Sequence, residues 1–307
     1  MTTLADLGHT FNEKGHMVDT ETGGGFEFNK FNNRAKNQER YEQLGDAVTE
    51  TVYQLLEDEG LERRYFPQDE GEKEGKSFVF VSKDLAKDKK CLVLINGSGV
   101  VRAGQWARSV IMNHDLYSGS MLPYIRQGVS EGYSVLVMNT NENIREGVRL
   151  TGSHTAEEHA QSVWEEFLSE HLEVYIVAHS YGGVVVQDLI KNVPGVKERV
   201  KRIGLTDSVH FTARDGDPNC EWFTERAVNW VGSKLELDTE VRVRNRFHCR
   251  CRSAGTTEHV WTSAKSVGPV FRWLGGEGEE TKEEENKDGE DEKGVDSGRE
   301  DSEKEEL

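Results

Sequence analysis

Short apolar runs that alternate with helical segments are the feature that most constrains the fold of this chain. Runs such as SFVFVS and VYIVA are apolar along nearly their whole length, so both faces of each strand must be covered. This alternation predicts an α/β fold, with a mostly parallel sheet and helices on both faces. We expect strands at residues 77–82, 91–95, 133–138, 174–178 and 200–205 and within 240–251, and helices at 38–60, 156–171, 182–192 and 263–274, with one more ending near Glu131.

A serine follows the fourth run at a sharp strand-to-helix junction. In the segment VAHSYGG (residues 177–183), Ser180 has small residues two positions before and after it, as in a G-x-S-x-G elbow with Ala178 replacing the first glycine. Such a turn lifts the hydroxyl above the sheet and directs the next N–H, that of Tyr181, at a developing oxyanion. The pattern predicts Ser180 as a nucleophile; a glycine-rich turn with a capping serine is the alternative.

A second glycine-rich loop, NGSG at residues 96–99, follows the CLVLI run. Glycines let backbone N–H groups turn toward negative charge, so Gly97 and Ser98 are predicted to contribute to an oxyanion hole beside Tyr181. Phosphate-binding motifs are excluded here, because a dinucleotide fingerprint needs glycine at Arg102 and a P-loop needs lysine at Gln105. A tight turn without a catalytic role remains the alternative.

A nucleophilic serine needs a base and an orienting acid, which in this kind of fold follow it in the order acid, then histidine. Asp207 comes directly after the VKRIGL run, and His259 lies between the last predicted strand and the last helix. We therefore predict a Ser180–Asp207–His259 triad. His210 is the competing base, but it lies on the same loop as Asp207. Four other residues are assigned structural or reserve roles: His179, His248, Asp215 and Asp217.

The charge of −18 is unevenly distributed along the chain. Residues 275–307 carry 16 Asp and Glu against 5 Lys and Arg, and they include almost no apolar side chains. Such a segment cannot bury enough surface to offset the entropy of ordering it, so we expect a disordered acidic tail. The expected folded domain is 38–274, with residues 1–37 as an extension that packs on it. Its mild acidity argues against direct nucleic-acid binding.

No stretch approaches the roughly 20 apolar residues that span a bilayer, and no signal peptide is visible, so we expect no membrane span. Cys249-x-Cys251 beside His248 lacks the spacing of a zinc site, and we expect neither a metal nor a cofactor. The last four residues, KEEL, are similar to an endoplasmic-reticulum retrieval signal, which would require prior entry into that compartment.

Several of these blocks together resemble a known family, the Argonaute-binding (Arb-type) domain family of animal cotranscriptional regulators. The resemblance covers roughly residues 7–274. It rests on GSGVVRAGQWAR at 97–108, EGYSVLVMNTNEN at 131–143, AHSYGG at 178–183, TDSVH at 206–210, and residues 253–255 with His259. The first block is the most specific.

The resemblance implies an α/β-hydrolase-like fold and association with Argonaute and with chromatin or splicing factors. It also implies roles in nuclear RNA silencing, chromatin and alternative splicing, and residence in nucleus and cytoplasm. Matched by motif, Ser180 is the implied nucleophile, with Asp207 and His259 as its partners. Asn96 departs from the histidine that is usual before the G-S-G of the family. Two hypotheses follow: a hydrolase-fold binding scaffold, or an active serine hydrolase that cleaves an ester, thioester or amide through an acyl-enzyme.

Overall fold

A central sheet of eight strands organises the protein in the computed structural model. The structure describes residues 2–68, 75–85, 87–168, 172–210, 218–242 and 249–277. The predicted tail therefore lies outside the described residues from 278 onward, as do Asp215, Asp217 and His248.

The strands of the described chain are β1 (His9–Phe11), β2 (Met17–Asp19), β3 (Leu61–Phe66), β4 (Ser77–Ser82), β5 (Lys90–Ile95), β6 (Ser134–Val137), β7 (Ile144–Arg145), β8 (Val148–Arg149), β9 (Glu173–His179), β10 (Val200–Thr206), β11 (Ala227–Val231) and β12 (Arg250–Ser253). The helices are α1 (Arg34–Asp58), α2 (Arg108–Asn113), α3 (Leu116–Gly119), α4 (Leu122–Ser130), α5 (Ala156–Phe167), α6 (Gly182–Asn192), α7 (Val196–Arg199), α8 (Pro218–Arg226), α9 (Thr262–Lys265) and α10 (Val267–Gly275). A 3₁₀ turn at His259–Trp261 precedes α9.

The order of strands in the sheet is β12-β11-β10-β9-β5-β6-β4-β3. All neighbours pair in parallel except at β4, which is antiparallel to both β6 and β3. This confirms the predicted mostly parallel α/β sheet, and the five runs proposed between residues 77 and 205 are strands β4, β5, β6, β9 and β10.

Two hydrophobic cores lie on opposite faces of the sheet, and alternate residues of one strand contribute to each. In β5, Leu92 and Leu94 belong to the core beneath α1, α4 and α10, whereas Val93 and Ile95 belong to the core beneath α5 and α6. Because successive side chains of a strand point to opposite faces, a strand covered on both sides must be apolar throughout. The continuous runs in the sequence have this physical cause.

Two strands of the eight-stranded sheet have no counterpart among the predicted runs. β3, with the sequence LERRYF, is an edge strand whose middle residues are polar and partly exposed. The guanidinium of Arg63 stacks over the rings of Tyr53 and Phe78 at 4.8 and 5.1 Å, so this charged residue covers an apolar surface. β11, with the sequence AVNWV, follows α8 without an intervening loop and includes Asn229, which breaks the apolar run.

The helix predicted at 38–60 begins earlier, at Arg34, and ends at Asp58, and two other predicted elements differ more in their bounds. The strand expected within residues 240–251 begins only at Arg250 and ends at Ser253, and residues 243–248 lie outside the described ranges. The helix expected at 263–274 is divided at Ser266 into α9 and α10. Pro269 explains the division, because proline has no N–H to continue a helix but is tolerated in a first turn.

The N-terminal residues pack against the domain. Leu4 and Met17 are buried in the same core as α1, and the N–H of Leu116 donates to the carbonyl of Gly15 over 2.8 Å. None of the helices in the described ranges is both long and apolar enough to cross a bilayer.

Candidate functional site

The candidate site lies where the connections of the sheet change direction. β5 and β9 are neighbours, but the chain leaves β5 toward β6 on one side and leaves β9 toward β10 on the other. Loops that diverge in this way open a crevice at the carboxyl ends of the strands, where open α/β sheets bind ligands. Gly97 follows β5, and Ser180 follows β9.

Ser180 occupies a tight turn between β9 and α6. Its φ angle is +52°, in the left-handed region that non-glycine residues rarely adopt. Backbone hydrogen bonds hold the turn, because the N–H of Ser180 donates to the carbonyl of Thr206 over 3.1 Å and the N–H of Val209 donates to the carbonyl of Ser180 over 3.2 Å. The surrounding structure therefore fixes a conformation that costs energy locally, as is common at functional sites.

Asp207 follows β10 and contacts His259. Its Oδ2 atom lies 2.7 Å from Nδ1 of His259, and its Oδ1 accepts the N–H of Gly232 over 3.0 Å. Burial alone would raise the pKa of Asp207, but the hydrogen bonds from His259 and Gly232 outweigh it and hold that pKa below the ordinary value. An ionised Asp207 requires a proton on Nδ1 of His259, which leaves Nε2 available as a base.

The hydroxyl of Ser180 makes no hydrogen bond with His259 in the part of the chain that the structure describes. His179 lies between them: it precedes Ser180 in the chain, and its ring packs against the ring of His259 with the centroids 4.6 Å apart. Hydrogen bonds between nucleophile and base are often long in proteins without substrate and shorten in the reacting complex. The acid and the base are thus in contact, with the elbow beside them.

The loop after β5 lies directly against the elbow. A methyl group on Gly97 would lie 3.0 Å from Cβ of Ser180, a tight contact that glycine avoids without displacing the elbow. Among the described residues, the backbone N–H groups of Ser98 and Tyr181 donate no hydrogen bond. Such N–H groups are available to an oxyanion. The hydroxyl of Tyr181 donates to Glu157 over 2.6 Å and so anchors the start of α6 to α5.

Three asparagines hold this loop: Asn96, whose departure from the family's histidine the sequence shows, and Asn139 and Asn141, which were not predicted. Asn141 donates to the carbonyls of Gly97 and Val101 over 2.7 and 3.1 Å, and Asn139 accepts the N–H of Ala103 over 3.0 Å. The buried Asn96 accepts the hydroxyl of Thr140 over 3.1 Å. Residues 139 and 141 alternate directly after β6 in the MNTNEN segment, and that spacing could have indicated a loop-binding role.

The competing histidine points elsewhere. The buried His210 has Nδ1 2.7 Å from Oγ of Ser208 and Nε2 3.8 Å from Sγ of Cys249, and its ring packs on Phe223. The contact with Asp207 is made by His259 instead. Cys251 is buried, and within the described ranges no three His, Cys, Asp or Glu side chains are grouped as metal ligands.

We expect Gly183→Ala to destabilise the protein by about 1–3 kcal/mol, the usual cost of overpacking. A methyl group on Gly183 would overlap Oγ of Ser208 and lie 2.9 Å from its Cβ. The hydroxyl cannot move away freely, because it is bonded to His210. Urea unfolding measures the change. Gly268→Ala in α10 is the matched control, since the nearest atom to its added methyl is 3.7 Å away; an equal loss in both variants would contradict this account.

Comparisons with known proteins place the chain in a family. The model of the Arb2 domain matches residues 1–151 and 143–237. The cotranscriptional regulator ARB2A of Homo sapiens is 37% identical over 91% of this chain and 81% of its own length. The ARB2A homolog of Xenopus tropicalis is 37% identical over 89% of this chain and 79% of that protein, and the homolog of Dictyostelium discoideum is 30% identical over 89% and 79%.

A solved structure, that of the histone deacetylase Clr3, superposes with a TM-score of 0.51 at 15% identity. The match covers 75% of this chain and 38% of the Clr3 chain, and it concerns the fold alone. The sheet order and the elbow at Ser180 are those of an α/β-hydrolase-like fold, and the family model and the sequence relatives show that the protein belongs to the Arb2 domain family.

Proposed function

We propose that this protein is a cotranscriptional regulator whose hydrolase fold carries a working serine-hydrolase site. Ser180 is the nucleophile, His259 the base and Asp207 the residue that orients the base. The observation that carries the proposal is the 2.7 Å contact between Asp207 and His259. It lies at the same edge of the sheet, the carboxyl ends of the strands, as the strained turn at Ser180. An acid–histidine pair beside a serine elbow is the arrangement required for acyl transfer.

The proposed reaction is the cleavage of an ester, thioester or amide. Nε2 of His259 takes the proton of Ser180 as its Oγ attacks the acyl carbon, and Asp207 stabilises the imidazolium that forms. The tetrahedral oxyanion accepts hydrogen bonds from the backbone N–H groups of Ser98 and Tyr181, next to Gly97. His259 then protonates the leaving group, and water releases the acyl group from Ser180 by the same steps.

Labelling with a fluorescent fluorophosphonate probe tests this site. We expect the wild-type protein to be labelled, and Ser180→Ala and His259→Ala to be labelled at background level. Ser130→Ala is the matched control, because Ser130 is an exposed serine on α4 that donates only to the carbonyl of Gln127. Wild-type labelling no stronger than that of Ser180→Ala would remove the basis for a hydrolase.

A second candidate is a binding role that does not use the triad. It is favoured by the relatives, since proteins 37% identical to this chain are named cotranscriptional regulators. On this proposal the protein works in nucleus and cytoplasm and associates with Argonaute and with chromatin or splicing factors. Precipitation of the tagged full chain from nuclear extract, probed for Argonaute, tests it. We expect Argonaute to be recovered equally with wild type and Ser180→Ala; failure to recover it with either would exclude this partner.

A further inference from the structure

The buried imidazole of His179 touches several parts of the candidate site at once. Its ring lies 4.6 Å from the ring of His259, centroid to centroid, at an angle of 36°. Its Nδ1 lies 2.9 Å from the carbonyl oxygen of Thr206, the residue before Asp207. A methyl group on Gly97 would lie 3.3 Å from Cδ2 of the same ring. One side chain therefore contacts the base, the strand that carries the acid, and the oxyanion loop.

We propose that His179 is a positioning residue that holds His259 and the Gly97 loop in place around Ser180. The inference rests on the proposed hydrolase function, which it deepens. The ring of His179 packs against two other rings. Trp106 lies edge-on to it with the centroids 6.3 Å apart, and His259 lies against it with the centroids 4.6 Å apart. The side chain of the base, His259, is itself 45% exposed. Solvent on its open side does not restrict rotation of the ring, so the restriction must come from the neighbouring side chains.

The protonation state of His179 suits this role. A carbonyl oxygen only accepts, so the contact with Thr206 assigns the proton to Nδ1 of His179. Burial, followed by the neighbouring His259, lowers the pKa of His179 to about 4. His179 is therefore neutral near pH 7, and the proton that leaves Ser180 stays on His259, which has Asp207 as its partner.

Few other charges act on this pair. Among the described residues, Asp207 is the charged group that contacts His259 directly. Glu258 precedes His259 in the chain and is exposed, and His114 packs on Trp261 at 4.9 Å. Contact with the ring of His179, together with the hydrogen bond to Asp207, thus defines the orientation of the base.

Two substitutions separate the ring from its hydrogen bond. His179→Phe keeps an aromatic ring of similar shape and loses the donor to Thr206. His179→Asn keeps a donor at the position of Nδ1 and loses the ring. If the ring positions the base, labelling of His179→Asn by the fluorophosphonate should be about 10- to 100-fold slower than wild type, the cost of a small misplacement. The labelling rate of His179→Phe should be within about threefold of the wild-type rate, a much smaller loss than that expected for His179→Asn.

A second readout does not depend on activity. The proton that His259 shares with Asp207 should give a downfield proton resonance, assigned by its absence in His259→Gln. We expect it to be kept in His179→Phe and broadened by water exchange in His179→Asn, with thermal unfolding showing that both variants fold. A resonance and a labelling rate unchanged in His179→Asn, or equal losses in both variants, would overturn the positioning role. If wild type is not labelled, the hydrolase proposal fails, and the resonance still decides whether His179 orients His259.

Discussion

Asp207→Asn is expected to slow the reaction of Ser180 with a fluorophosphonate by about 10⁴-fold, the loss typical of a triad whose histidine is held in the wrong tautomer. Asp207 accepts two hydrogen bonds, one from Gly232 and one from His259. An asparagine that keeps its oxygen on the N–H of Gly232 presents its NH₂ group to Nδ1 of His259. That nitrogen must then accept, so the proton moves to Nε2 and the base is lost.

Asparagine is the informative replacement because of the backbone at this position. Asp207 has a φ angle of +45°, and asparagine tolerates the left-handed region better than most residues. The variant should therefore fold, with a urea midpoint close to that of wild type. Labelling of folded Asp207→Asn within tenfold of wild type would show that His259 does not depend on Asp207.

The second large effect is expected on stability in acid. Burial lowers the pKa of His159 to about 3, and burial together with His259 lowers that of His179 to about 4, against 6.5 for a free histidine. Below pH 6.5 the unfolded chain binds protons that the folded protein does not, so stability falls with pH down to these lower values. Between pH 7.5 and 5.0 each histidine should cost about 2 kcal/mol, and the two together about 4 kcal/mol.

The hydrogen bonds of His159 show why it stays neutral. Its Nε2 accepts the N–H of Asn139 over 3.0 Å, while Nδ1 faces the hydroxyls of Ser153 and Ser77 at 3.0 and 3.2 Å. A proton on Nε2 would remove the acceptor for Asn139, which holds the loop before Trp106 through the N–H of Ala103. Acid should therefore disturb this loop as well as the global stability.

Urea unfolding at pH 7.5 and 5.0 measures the difference. In His159→Gln, whatever its stability at pH 7.5, we expect the loss between the two pH values to be about half that of wild type, because one of the two imidazoles with a strongly lowered pKa among the described residues is gone. His16→Gln is the control, since His16 is exposed and should leave the loss unchanged. The same loss in His159→Gln as in wild type would show that His159 is not responsible.

The central strands could be predicted because they are apolar for one physical reason, their burial on both faces. β5 and β9 illustrate this, and they also locate Ser180 and Gly97 at one edge. β3 could not be predicted in this way, because Arg63 covers apolar rings with its guanidinium and the strand looks like a charged loop. Pro269 indicated a break that the apolar periodicity of the last helix concealed.

In the site, chain order and the ends of the strands were enough to select Asp207 and His259, which lie in contact. Their catalytic roles remain predictions. The spacing of the asparagines after β6 could have indicated a loop-binding role, but their partners could not be predicted. Nor could the His159 network, because each of these contacts joins segments far apart in the chain. His159 contacts residues 77, 139 and 153, and no periodicity within one element indicates such a meeting point.

The central claim is that Ser180 is a nucleophile activated by the folded protein. The most direct measurement is peptide mapping by mass spectrometry after brief treatment of the native full chain with a fluorophosphonate. We expect one adduct, on the peptide that contains Ser180, and none there once the protein has been heat-denatured before treatment. An unmodified Ser180, or adducts at several hydroxyls at the same rate in native and denatured protein, would contradict it.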